Sequence, residues 1–197
     1  MSFPTFEHKP LGDIATITMG ATVSYYSKTA LEGEEQARLI TASCLSPSGS
    51  IDASKLTNVW MIKDTYEKFL AESGDVLLLT RGNFRAVCID SADEDYDLLV
   101  SANFAIIRPQ FDLHPRALKE LLSMPAVIDD LVAPISANKS IRTKELKQLQ
   151  VPLLPYEVQK QIIELAEARD LAYGATLELA KAQLDAANTR IAEIMGA

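Results

Sequence analysis

The sequence has 197 residues, 48% of them hydrophobic, which is enough for one large core or for one domain with an appendage. No apolar stretch approaches the roughly 20 residues of a membrane span, and the first residues, Met1 to Lys9, lack the charged start and apolar run of a secretory signal. The net charge is −8, and acidic proteins repel nucleic acid at long range, so composition alone argues mildly against DNA.

Local charge tells a different story. Asp90, Asp93, Glu94, Asp95 and Asp97 concentrate acid, whereas Lys139, Arg142, Lys144 and Lys147 face only Glu145. A basic face can therefore coexist with an acidic whole. Cys44 and Cys88 share no metal or redox spacing, and are expected as buried free thiols in a cytoplasmic protein.

In chain order, Ile14–Thr18 alternates apolar and polar residues over the length of a strand. Arg38–Thr41 and Val59–Ile62 are further strand candidates. Asp64 and Glu67 form a capping-box pattern, predicting a helix from there to about Glu72 that ends at Gly74. Asp75–Thr80 is a near-continuous apolar run, as expected of a strand covered on both faces. It should hairpin through residues 81–85 into Ala86–Ile89. Asn103–Arg108 reads as another strand, with Pro109 stopping its ladder. Pro115 suits the first turn of a helix carrying Leu118, Leu121 and Leu122. This order is mixed rather than regularly alternating, so the fold class is α+β, with a mixed-sheet body over residues 1–150.

Residues 151–197 form the second unit, a connector and a long helix. Pro155 opens the helix, no proline follows, and the pattern continues to Met195, about 40 residues or roughly 60 Å. Ile163, Ala166, Asp170, Tyr173, Leu177, Ala180, Leu184, Ala187, Ile191 and Ile194 advance in steps of three and four, a heptad seam. A helix this long exceeds the diameter of a body of about 150 residues, so its seam is expected to pair with another helix as a coiled coil. Tyr173, Leu177, Ala180, Leu184, Ala187, Ile191 and Ile194 are the candidate dimerisation residues.

Catalytic patterns are missing. There is no G-x-G-x-x-G, no phosphate-binding P-loop and no G-x-S-x-G elbow. Asp75 lacks a following Glu-x-Lys, and Asn103-Phe104 lacks the prolines of an adenine-methyltransferase run. His8, in an expected N-terminal arm, and His114, before Pro115, suit solvated or capping roles. No catalytic residue, metal site or cofactor is expected, and the chain reads as a non-enzyme.

Several segments together resemble the DNA-specificity subunit of type I restriction–modification systems. Leu11–Gly20 is similar to the family's opening strand, and Ser73–Gly82 to its central Gly-Asp-apolar…Arg-Gly strand and turn. Ser101–Arg108 is similar to the strand that follows. Residues 141–162 are similar to its signature junction: a Leu-x-x-Leu helix, then Val-Pro-Leu-x-Pro, then Gln and Ile in the next helix. The family typically has two target-recognition domains and two helices that pair antiparallel; here there is one of each.

The resemblance implies a half-subunit that homodimerises and reads a split inverted-repeat site. Methyltransferase subunits carrying S-adenosylmethionine, and a restriction subunit, would be its partners. A two-fold dimer reads an inverted repeat, and a bridge of roughly 60 Å limits half-site separation to roughly 17 base pairs. Candidate contacts to double-stranded DNA are Arg81, Asn83 and Arg85 on the hairpin loop. Asn138, Lys139, Ser140, Arg142 and Lys144 are candidates ahead of the connector, because Arg suits guanine and Asn suits adenine. The acidic charge keeps an alternative open: a protein–protein module related to specificity subunits that has lost autonomous DNA binding.

Overall fold

The computed structural model describes residues 6–29, 35–46, 49–62, 66–82, 84–90, 96–110, 113–132 and 140–195. Two four-stranded sheets and a layer of short helices form the body. The first sheet has the order β2 (Ala15–Met19), β9 (Phe104–Pro109), β6 (Val76–Leu79), β7 (Ala86–Cys88), with every pair antiparallel. The second comprises β3 (Tyr26–Ser27), β5 (Thr57–Met61), β4 (Gln36–Ile40) and β8 (Asp97–Val100) in that order; β4 and β8 run parallel, so this sheet is mixed.

Strand β6 shows why its sequence is apolar without alternation. Val76 and Leu78 face a cluster completed by Ile17, Ile107, Leu118 and Leu122, on the helical side. Leu77 and Leu79 face the opposite way, onto Ile40, Leu98 and Val100 of the second sheet. A strand buried on both faces cannot alternate with polar residues. A third cluster, with Leu39, Val59, Met61 and Phe69, closes the outer face of the second sheet.

Four helices and a short strand pair build the rest. The single-turn α1 (Leu11–Ile14) precedes β2, and α2 (Pro115–Leu122) packs on the first sheet. After α2 come α3 (Pro125–Val132) and α4 (Thr143–Gln148). Strand β1 (His8–Pro10) pairs antiparallel with β10 (Gln150–Pro152), and Leu11 N–H donates to Leu149 C=O at 2.8 Å. His8 thus belongs to a strand rather than a loose arm. The connector is built into the body as well, since Val151 and Leu154 are core residues. The long α5 (Tyr156–Met195, 40 residues) follows.

One expected element is absent. In place of a helix reaching Glu72 there is a single 3-10 turn, Glu67–Phe69; Asp64 lies outside the described residues. Tertiary pairing overrides the local pattern here. Ala71 N–H donates to Leu98 C=O at 2.8 Å and Leu70 bridges to Leu99, both of which require extended chain, and Phe69 at the end of the turn is drawn into the outer core. Gly74 does take a left-handed conformation (φ +89°), but in the turn ahead of β6. His114 caps α2 as expected, its Nδ1 accepting from Arg116 N–H at 3.2 Å.

Candidate nucleic-acid interface

Two segments far apart in sequence meet at one end of the first sheet. Thr80, fully buried, ends β6, and its carbonyl accepts Ile141 N–H at 2.9 Å. Arg81 and Ser140 form an isolated antiparallel bridge beside it. Ile141 is itself buried, anchoring the chain before α4, so Arg142 and Lys144 follow as exposed residues at the start of that helix. Arg85 stands opposite Leu79, which donates its N–H to the Arg85 carbonyl at 2.8 Å. The hairpin tip and the segment before the connector therefore share one surface. Asn83, Asn138 and Lys139 lie outside the described residues.

Their partners separate the arginines of this surface from the others. Of the eight arginines, Arg108 binds Asp75 and Glu72, Arg116 binds Asp90 and Glu167, Arg169 binds Glu120 and Asp170, and Arg190 binds Glu193. Arg38 lies over the Tyr96 ring at 3.7 Å. Among the described residues Arg81, Arg85 and Arg142 have no carboxylate or aromatic partner, and all three are exposed. Glu145, the nearest acid in sequence, accepts from the Arg142 backbone N–H and so serves as a cap of α4. An unpaired guanidinium keeps its five donors in a planar fork free for phosphate or a guanine edge.

Sequence reasoning missed Asn103, which is exposed in the turn between β8 and β9. Its carbonyl accepts both the Thr80 N–H at 2.8 Å and the Thr80 hydroxyl at 2.9 Å, placing it beside Arg81. A turn residue in a strand-like run carries no local signal of this neighbourhood.

The second candidate surface is α5. Its base is fastened to the body: Gln159, buried, accepts His114 N–H at 2.7 Å and donates to Leu154 C=O at 2.8 Å. Arg169 reaches Glu120 of α2, and Arg116 of α2 reaches Glu167. From Leu171 to Ile191 every residue is exposed, including Tyr173, Leu177, Ala180, Leu184 and Ala187. Ile191 and Ile194 are also exposed. The seam divides accordingly: Ile163, Ala166 and Asp170 line a groove of about 1640 Å³ at the base, and the later positions project into solvent.

Neither cysteine is a poised nucleophile. Both are free, Cys44 is buried, and burial and the Asp90 carboxylate push the half-buried Cys88 thiol up to about 12. Among the described residues no three His, Cys, Asp or Glu side chains converge as metal ligands would, and no helix is long and apolar enough to cross a membrane.

A mixed-sheet body closed by a short strand pair and followed by one long helix is the fold this chain shares with parts of type I restriction–modification S subunits. The chain is similar to the HsdS subunit from Thermoanaerobacter tengcongensis, with a TM-score of 0.60 and 20% identity over 91% of this chain and 41% of that one. It is similar to a chain from a structural study of complex assembly and conformational transition in a type I restriction–modification system, with a TM-score of 0.65 and 20% identity over 97% and 45%. The S subunit from M. genitalium gives 0.51 and 12% over 92% and 44%. The likeness is one of fold, and the chain spans less than half the length of each of these proteins. No protein-family model and no curated relative matches the sequence significantly.

Proposed function

We propose that this chain is a non-catalytic DNA sequence-recognition subunit of a type I restriction–modification complex. The observation that carries this reading is the group Arg81, Arg85 and Arg142, which among the described residues have no carboxylate or aromatic partner although the chain as a whole has a net charge of −8. Those side chains would hold phosphates and reach base edges, with Ser140 and Lys144 beside them; Asn83, Asn138 and Lys139 complete the set by sequence. In this reading residues 1–150 read DNA, and residues 151–197 join two copies and dock the methyltransferase and restriction subunits.

The α5 seam supports a homodimer that reads a split inverted repeat. Set antiparallel, it matches itself: Leu177 falls opposite Ala180 of the second copy, Tyr173 opposite Leu184, Asp170 opposite Ala187, Ala166 opposite Ile191 and Ile163 opposite Ile194. Two of these five layers pair a large apolar residue with alanine, which lets helices approach closely, and two pair large apolar residues with each other. The last turns of the second copy would then enter the groove lined by Ile163, Ala166 and Asp170.

Selection from a randomised duplex library, with and without the methyltransferase subunit, tests the reading. A split, two-fold symmetric motif is the expected result. No enrichment by the assembled complex would refute it. The net charge of −8 favours a second reading, a related protein–protein module without autonomous DNA binding. Assembly with the methyltransferase subunit without any sequence preference would establish that alternative.

A further inference from the structure

Cations hold phosphates of any sequence, so a reader of DNA also needs a group that distinguishes bases. Asn103 has the placement for it. Phe104 N–H donates to Ser101 C=O at 3.0 Å, making a tight turn with Ala102 and Asn103 at its centre. Ala102 N–H is tied to Ala21 C=O at 2.8 Å, and the Asn103 carbonyl takes two hydrogen bonds from Thr80. Thr80 in turn holds Ile141, so one buried residue fixes the turn, the hairpin tip and the segment carrying Arg142. On this frame the Asn103 side chain is exposed, and among the described residues it makes no hydrogen bond. Asparagine in a turn ordinarily bonds its neighbouring backbone; here, among the described residues, neither the carboxamide donor nor its acceptor has a partner.

We infer that Asn103 is a base-reading residue and that its target is adenine. A carboxamide accepts from adenine N6 and donates to N7 at once, a pairing no other base offers in the major groove. A rigid turn beside Arg81 supplies the positioning that such a bidentate contact demands. This assignment rests on the DNA-reading role proposed above and adds to it the chemical class of one recognised base. A turn residue with only a structural role would leave sequence preference untouched.

The test is library selection with the full chain assembled with its methyltransferase subunit, comparing wild type, Asn103→Ala and Asn103→Asp. Asn103→Ala should return the wild-type motif with one adenine position per half-site relaxed. Discrimination there should fall about 5- to 150-fold, with melting temperature and salt dependence unchanged. Asn103→Asp keeps the shape but only accepts, so preference at that position should move toward cytosine; it also gives a reading should the alanine variant fold poorly. An unchanged motif in both variants, or affinity lost equally on all sequences, overturns the assignment. A wild-type complex that enriches nothing refutes the DNA-reading role itself and this assignment with it.

Discussion

Arg169 of α5 meets Glu120 of α2 through two hydrogen bonds of 2.8 and 3.1 Å, and Lys119 approaches the same carboxylate at 2.7 Å. Burial pushes the Glu120 carboxyl up, but Arg169 and Lys119 together outweigh it and hold the group below its ordinary value of 4.5. A depressed folded-state value means stability that is present above the usual carboxylate range and lost as pH falls through the folded value. Arg169 is more than half exposed, so the contribution is about 1 kcal/mol or less. Thermal melts from about pH 7 to about pH 3 should show a shallower acid loss for Glu120→Gln than for wild type. Identical profiles would show that the pair does not fasten α5.

Asp75 and Arg108 form the more deeply buried pair, with parallel bonds of 2.8 and 2.9 Å and a fully buried carboxylate. Asp75 also accepts Glu72 N–H at 2.8 Å. Arg108→Ala strands that carboxylate without a counter-charge and should cost about 3–5 kcal/mol. Asp75→Asn should cost less, about 1–3 kcal/mol, because the part-exposed guanidinium still reaches water and Glu72. Urea unfolding that ranks the two in the reverse order would contradict this account.

Two glycines should respond in opposite directions to alanine. At Gly20 a Cβ would lie 2.3 Å from the Ser101 carbonyl oxygen and 2.5 Å from that of Val100, both backbone atoms that cannot yield without parting the two sheets. Gly20→Ala should destabilise by about 3 kcal/mol or more. Gly174 lies within α5 with nothing within 4 Å, so Gly174→Ala should raise helix stability by about 1 kcal/mol. Denaturation midpoints that fall for both would be inconsistent with an open environment at Gly174.

Leu184→Glu puts a charge in the proposed seam at an exposed residue of α5. Sedimentation should report monomers with an unaltered circular dichroism spectrum. If the oligomeric state does not change, the seam is not the dimer interface.

For DNA, Arg81→Ala, Arg85→Ala and Arg142→Ala should each flatten the dependence of log affinity on log salt by about one unit wherever the lost contact is to phosphate. Titrations at several salt concentrations measure this directly. Slopes equal to the wild-type slope in all three variants would remove the phosphate contacts assigned to this surface.

What could be read from the sequence was local. The run Asp75–Thr80 and the proline-free stretch to Met195 announced β6 and α5, because burial on both faces and helical periodicity are written in consecutive residues. Strand β8 was hidden by its acidic flank and by a parallel partner some sixty residues away. The expected helix toward Glu72 failed because β8 claims the Ala71 backbone. Arginine types at 81, 85 and 142 were visible, but their want of partners among the described residues was not. Whether a guanidinium is neutralised depends on acids distant in the chain, as Asp75 is from Arg108.

The pairing of β1 with β10 sets the order in which the body can be completed. His8 lies opposite Pro152, and Leu11, Ile14 and Ile17 share a core with Leu146, Leu149 and Val151. At about 5–20 residues per second, a ribosome makes Pro152 roughly 7–30 s after His8. Throughout that interval β1 has no strand partner, and the late loop-closing contacts make folding slow. The chain closes its body only as the projecting helix begins to emerge, so an exposed core edge and an exposed seam follow one another during synthesis.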